Sequence, residues 1–205
     1  SVTNGPGLSG ALLTGVCFAK GLGLGLGIPV IPINHLEAHI FSNFLAEPNL
    51  SYPFVCLLVS GGHTQLWHIK GYEEYKLLGE TRDDAAGEAF DKGARIFGLK
   101  YPGGPEIEKY SKGGNPEAHY FPRGLINKTS LEFSFSGLKT SLLYFMDTFE
   151  ESSLIKKRDI IASYQQAIVD TLVEKMKRAI LMTKVKTCVI AGGVAANKCL
   201  RNKLK

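Results

Sequence analysis

Long uninterrupted apolar runs are missing from this 205-residue chain. Glycine or charge breaks each apolar stretch before it reaches the length that spans a bilayer, which argues against a membrane partner. The opening residues, SVTNGPGLSG, lack the charged and apolar regions of a signal peptide. Cysteine is scarce and scattered. Cys17, Cys56, Cys188 and Cys199 show no CxxC spacing and sit among apolar neighbours or in predicted helices. They read as buried free thiols in a reducing compartment, so the sequons at Asn49 and Asn127 carry no meaning there and the protein reads as cytoplasmic. There is no GxxxxGK[ST] and no GxGxxG after a strand, which excludes a P-loop and a Rossmann fingerprint. RNP-type aromatics, zinc knuckles, KH-like loops, internal repeats and low-complexity segments are also missing.

What is present is ordinary globular composition: 44% hydrophobic and 21% charged residues, enough for one large domain or two small ones. The net charge is +5, and lysine gathers late in the chain at 156, 157, 175, 177, 184, 186, 198, 203 and 205. A basic excess attracts polyanions such as RNA, but on charge alone solvated helix faces account for it better. The pattern predicts a helix over 8–26 that unwinds at Gly21, Gly23, Gly25 and Gly27. A short strand between Pro29 and Pro32 follows, then a helix over 34–46 capped by Asn34. Residues 53–82 read as an antiparallel meander turning at Gly61-Gly62 and Gly71. Helices are expected over 85–97, from PGGP (with Glu106 and Glu108 in its first turn), over 137–149 and over 154–183. Residues 113–135 read as irregular, KTCVIAGG as a buried strand, and VAANKCLRNKLK as the opening of a last helix. Strands alternating with helices, with glycines at strand ends, make the chain α/β. It begins in a Gly-Pro loop with no strand before the first helix and stops just inside a helix. Both ends read as interior positions of a longer protein.

Three features carry chemistry. His35 and His39, four apart on one helix, fall one turn apart on one face, the spacing at which two imidazoles share a metal. Alone, such a pair is more often a surface feature than a ligand pair. It is not a metalloprotease HExxH motif: Glu37 lies two residues after His35, about 200° round the helix, and cannot activate metal-bound water. Three Gly-rich turns, at 60–63, 102–105 and 191–197, have the composition of backbone nests that take phosphate, although most GG pairs are plain turns. Finally, Asp83, Asp84, Glu88 and Asp91 form a dense acidic cluster. Asp84, Glu88 and Asp91 at helical spacing are expected to share a face, and Asp91 suits ribose hydroxyls. The plainer reading, complementing a helix dipole, covers only Asp83 and Asp84.

The motifs KGLGLGLGIPVIPINHLEAHI (20–40), LLVSGGHTQL (57–66), TRDDAAGEAFDKGAR (81–95), YPGGPEIE (101–108), FSFSGLKT (133–140) and AGGVAANKCLR (191–201) together resemble the TsaD family. That family was formerly called YgjD, Gcp or O-sialoglycoprotein endopeptidase. The resemblance is collinear over essentially the whole chain. It implies an ASKHA (actin/Hsp70/sugar-kinase-like) fold of RNase H-like lobes, incomplete at both ends. Residues 1–50 would be the remainder of the N-terminal lobe with the HxxxH helix, and 51–205 a second lobe with inserted helices. It also implies an acyltransferase that moves the threonylcarbamoyl group from threonylcarbamoyl-AMP to N6 of adenosine 37 in tRNAs reading ANN codons. His35 and His39 would hold one divalent iron or zinc ion, completed by an aspartate in a C-terminal segment missing from this sequence. The adenylate-binding positions carry over to Leu58, Val59, Ser60, Gly61, Gly62, Asp91, Gly104, Glu108 and Asn197. Implied partners are tRNA, TsaB-like and TsaE-like subunits, and a TsaC-like synthase that supplies the adenylate. The family's GIETSCDET-like opening and CTDNAAM-like ending are not found here, and the polypeptide alone is expected to be inactive. The alternative is a non-catalytic nucleotide-binding scaffold of the same complex, as TsaB is. TsaB lacks the histidine pair, so His35 and His39 argue against that reading.

Overall fold

A computed structural model describes residues 1–126, 129–150 and 156–204. The sequon at Asn127, the start of the expected helix at 154–155, and Lys205 lie outside the described residues. The chain divides into two compact units, Ser1–Leu50 and Ser51–Lys205.

In the first unit, β1 (Val2–Gly5) pairs in parallel with β2 (Pro32–Asn34). This corrects the expectation of no strand before the first helix. VTNG has no apolar alternation to announce it, and its pairing comes from the backbone of residues 32–34. Between them α1 (Ser9–Leu26) runs straight through the glycines that were expected to unwind it. Only Gly27 leaves the helix, as a left-handed C-cap with φ 65°, whose N–H returns to the Gly23 carbonyl. Uninterrupted, α1 has 18 residues and a mean hydropathy of 1.4, long and apolar enough to cross a bilayer by length and composition alone. The expectation that no segment reaches that length is corrected on this point. Cys17, on α1, is exposed rather than buried; all four thiols are free. Asn34 caps α2 (His35–Phe41) as expected: its Oδ1 accepts from the Leu36 and Glu37 amides at 2.8 and 3.2 Å. The helix breaks at Ser42 and resumes as α3 (Asn43–Ala46).

The second unit is built on a four-stranded sheet of order β5-β4-β3-β6, with β3 (Phe54–Val59), β4 (Thr64–Gly71), β5 (Glu74–Glu80) and β6 (Cys188–Ala191). β3 is antiparallel to β4 and parallel to β6. Every residue of β3 is buried, which explains why FVCLLV is continuously apolar instead of alternating. Among the described residues, five α-helices complete the unit: α4 (Ala86–Ile96), α5 (Gly103–Tyr110), α6 (Ser136–Asp147), α7 (Lys157–Thr183) and α8 (Lys198–Leu204). The core joins Val55, Leu57 and Val59 to Phe90, Phe97, Phe121, Tyr164, Leu172 and Met176. Tyr164 sits edge-on to Phe97 and Phe121 and donates its hydroxyl to the Ala89 carbonyl at 2.8 Å, tying α7 to α4. Because α5 starts at Gly103, Glu108 falls in its second turn, not its first.

The acidic cluster does not lie along one helix face. Thr64 Oγ1 receives the Ala86 amide at 2.8 Å and fixes the start of α4 after Asp83 and Asp84. Asp84 and Glu88 both bind Lys92, at 2.6 and 2.8 Å. Asp83 instead caps α6: its carboxylate accepts from Ser134 Oγ (2.6 Å), Ser136 Oγ (2.8 Å) and the amides of Phe135 (2.7 Å) and Ser136 (3.2 Å). Partial burial pushes the Asp83 carboxyl up, but these donors outweigh it and hold it below the usual carboxylate range. Asp83→Ala is expected to destabilise the unit by about 1–2 kcal/mol at neutral pH, the scale of a lost helix cap. A depressed carboxylate stabilises above its unfolded pKa and ceases to as pH falls through its folded one. Urea unfolding should therefore show the gap between wild type and variant shrinking as the pH falls below about 4, the unfolded aspartate pKa. A gap of constant size would contradict this role.

Candidate functional site

The parallel strands β3 and β6 end side by side, Leu58 opposite Ala191, and each runs into a glycine turn. In parallel sheets ligands bind beyond the carboxyl ends of strands, and a cavity of about 530 Å³ opens there. Its wall is formed by Gly61 after β3, by Gly87, Phe90 and Asp91 of α4, and by residues from Tyr101 to Lys112 around α5. Gly193, Val194, Ala196 and Asn197 after β6 close it. The turn after β3 is held tightly: Ser60 N–H donates to the His63 carbonyl at 2.8 Å, and Ser60 Oγ accepts the His63 amide at 3.1 Å. α4 begins against this turn, with Gly87 N–H on the Ser60 carbonyl at 3.2 Å. A Cβ on Gly87 would fall 2.5 Å from that oxygen, so only glycine brings the helix start this close.

The polar residues of the wall fix one another through helix starts. Asp91 Oδ1 accepts the Gly103 amide at 2.7 Å and caps α5. Glu108 Oε2 accepts the Lys198 amide at 3.2 Å, and Asn197 Oδ1 accepts the Leu200 amide at 3.0 Å, both at the start of α8. Asn197 Nδ2 donates to Gln165 Oε1 at 3.0 Å, and Gln165 Nε2 donates to Ser111 Oγ at 3.0 Å. This chain of bonds ties α8, α7 and the end of α5 together behind the cavity. A wall so cross-linked presents its remaining donors and acceptors without reorganising, which favours binding.

In the first unit, the His35 and His39 rings lie 4.5 Å apart at 66°, half-buried on α2. Two imidazoles so placed fit two positions of a metal's coordination shell. Among the described residues, no group of three His, Cys, Asp or Glu gathers to complete such a shell.

A family model described as tRNA N6-adenosine threonylcarbamoyltransferase, TsaD, matches residues 1–205. The chain belongs to the TsaD family. A curated relative of that name from Thermosipho melanesiensis is 55% identical over 203 residues, which cover 99% of this chain and 61% of the relative. One from Clostridium botulinum is 52% identical, again with 99% and 60% covered. The chain thus spans about three fifths of the length of the curated relatives it matches. Two solved structures share its fold. Component A of the Acidaminococcus fermentans (R)-2-hydroxyglutaryl-CoA dehydratase has a TM-score of 0.56 at 18% identity, covering 99% of this chain and 76% of its own. HypF of T. kodakarensis has a TM-score of 0.60 at 14% identity, covering 93% and 34%. Both are ASKHA folds, and so is this TsaD-family chain.

Of the residues singled out from sequence, Gly61, Asp91, Gly104, Glu108 and Asn197 meet at the cavity. Leu58 and Val59 do not line it; they are buried in β3 and support the turn from beneath. Ser60 and Gly62 belong to that turn without lining the cavity. Sequence reasoning missed Gly87, Phe90, Tyr101, Lys109 and Lys112. Helical spacing could have found two of them. Gly87 is i−4 from Asp91, and Lys112 is i+4 from Glu108.

Proposed function

We propose that this chain is the adenylate-holding and metal-ligating part of a tRNA N6-adenosine threonylcarbamoyltransferase. The observation that carries the reading is the cavity beyond β3 and β6, with glycine turns at its base and Asp91, Glu108 and Asn197 in its wall. The turn amides take the phosphate of threonylcarbamoyl-AMP, since glycine lets an anion approach the backbone. Asp91 Oδ1 is committed to Gly103, which leaves Oδ2 to accept from a ribose hydroxyl; Glu108 supplies a second acceptor. His35 and His39 would hold the divalent metal, iron or zinc, which when bound supplies a Lewis acid for a carbonyl. The N6 amine of adenosine 37 attacks the carbamoyl carbon, a C–N bond forms, the bond to the AMP phosphate oxygen breaks, and the amine proton is lost. No covalent enzyme intermediate is needed. Much of the rate comes from holding the adenylate and the RNA base in attack geometry. TsaB-like and TsaE-like subunits, a TsaC-like source of the adenylate and a cytoplasmic setting belong to the same reading.

The test is a calorimetric titration of the 205-residue chain with AMP, the leaving group. AMP should bind, and Glu108→Ala should weaken it about tenfold or more, the scale of a lost hydrogen bond to a charged group. AMP that fails to bind, or binds Glu108→Ala as tightly as wild type, would sink the reading.

A further inference from the structure

A second concavity of about 560 Å³ lies on the same unit and shares no lining residue with the first. Its walls are the segment around Tyr120 and Arg123, the solvent side of α7, and Lys203 of α8. Three cations face it, Arg123, Lys177 and Lys203, along with two carboxylates, Asp170 and Glu174, the second neutralised by Arg178 at 2.8 Å. Asp170, at the floor, holds two of them in place, accepting from Arg123 Nη2 at 2.8 Å and Lys203 Nζ at 2.7 Å. The Arg123 guanidinium lies 4.9 Å from the Tyr120 ring, which is 75% exposed. Lys177 is exposed and has no ion-pair partner among the described residues. The surrounding sequence is strongly one-signed: residues 156–204 carry eleven Lys and Arg against three Asp and Glu, whereas 51–150 carry more acid than base.

We propose that this groove docks RNA, taking phosphates on Lys177, Lys203 and Arg123 and an unpaired base on the Tyr120 ring. The inference rests on the proposed tRNA substrate and says where on the chain that substrate is held. Phosphate contacts supply affinity and register, while an exposed aromatic beside an arginine is a stacking platform for single-stranded bases. Asp170 pre-sets two cations on one side, so less side-chain entropy is lost when a phosphate arrives. The placement also suits the chemistry. α8 starts at the cavity residue Asn197 and carries Lys203 into the groove, six residues or about 9 Å of helical rise away. An RNA gripped in the groove therefore has its neighbouring nucleotides close to the cavity. An acidic protein would use the three cations but has no need of the exposed ring.

The experiment measures fluorescence anisotropy of a labelled tRNA anticodon stem-loop with the 205-residue chain across a salt series. Wild type should bind. Lys177→Ala/Lys203→Ala should weaken binding about tenfold and flatten the salt slope by about 1.4, because two phosphates of a single strand keep their counterions. Tyr120→Ala should weaken it by a similar factor, within the range of a lost base stack. The control Lys139→Ala/Lys186→Ala removes two exposed lysines outside the groove and should change binding by less than about twofold. AMP affinity should be the same in all of these proteins, which separates failure of the groove from failure of the adenylate reading. The proposal is overturned if wild type does not bind the stem-loop or if the control pair weakens it as much as the groove pair. It is also overturned if Tyr120→Ala has no effect while polyglutamate competes equally well, the outcome expected for an acidic protein partner.

Discussion

Gly192→Ala is expected to lower the stability of the second unit by about 3–5 kcal/mol, combining backbone strain with overpacking, and to abolish AMP binding with it. Gly192 follows β6 with φ 88° and ψ 171°, a region essentially restricted to glycine. An added Cβ would also sit 2.3 Å from the Val59 carbonyl oxygen and 2.8 Å from its carbon. Neither atom can give way, because Val59 ends the fully buried strand β3 and its neighbour Leu58 is paired with Ala191. The two strand ends that form the floor of the cavity would have to separate. The adjacent Gly193 is the proper comparison. Its Cβ would meet nothing within 4 Å and its backbone needs no left-handed conformation. Gly193→Ala should stay within about 1 kcal/mol of wild type and, by restricting the unfolded chain, fall on the stabilising side. Urea unfolding of the two variants decides the matter. Equal effects would mean that the close approach of β6 to β3 does not govern the site.

Much of this architecture was legible in the sequence, and the failures share a cause. The meander over 53–82 was readable because its strands are apolar runs separated by turns of glycine. Asn34 was readable as a cap because capping is a local bond, closed within three residues. What escaped depended on partners distant in sequence. β1 exists only because residues 32–34 offer it a backbone to pair with. α4 starts at Ala86 because a threonine on β4 reaches its first amide, and that leaves Asp84 ahead of the helix whose face it was expected to share with Glu88 and Asp91. The glycines of α1 were read as a helix end, although a glycine inside a helix weakens it by only about 1 kcal/mol and need not break it. The same division holds at the site. Glycine turns and Asp91 were visible as residue types with a chemistry. Tyr101 and Lys109 carry no signal until the fold brings α5 and the turn before it to the cavity.

The second large effect is expected at Lys175, a lysine with no exposed surface in the middle of α7. Its ammonium donates to the carbonyls of Leu125 and Ser130 at 2.8 and 2.7 Å, and Arg178 donates to the Ile126 carbonyl beside them. These bonds fasten the segment before α6 onto α7 from below. Lys175→Met keeps the volume and removes a buried charge, which by itself is favourable. Against that, two part-buried carbonyls lose their donor, at about 1–3 kcal/mol each. The second term is larger, so a net loss of about 2–4 kcal/mol is expected. A variant as stable as wild type would show that water or a shifted backbone satisfies both carbonyls. The pH dependence supplies an independent check. Burial, with the Arg178 charge adding to it, pushes the Lys175 ammonium below the ordinary lysine range. The unfolded chain then binds the proton more tightly than the folded one, so this group's contribution to stability rises with pH up to about 10.4. Wild type should therefore gain on Lys175→Met as the solution is made alkaline. If the gap narrows instead, the ammonium is stabilised by its carbonyl partners beyond what burial takes away, and its charge belongs to what holds α7 and the segment before α6 together.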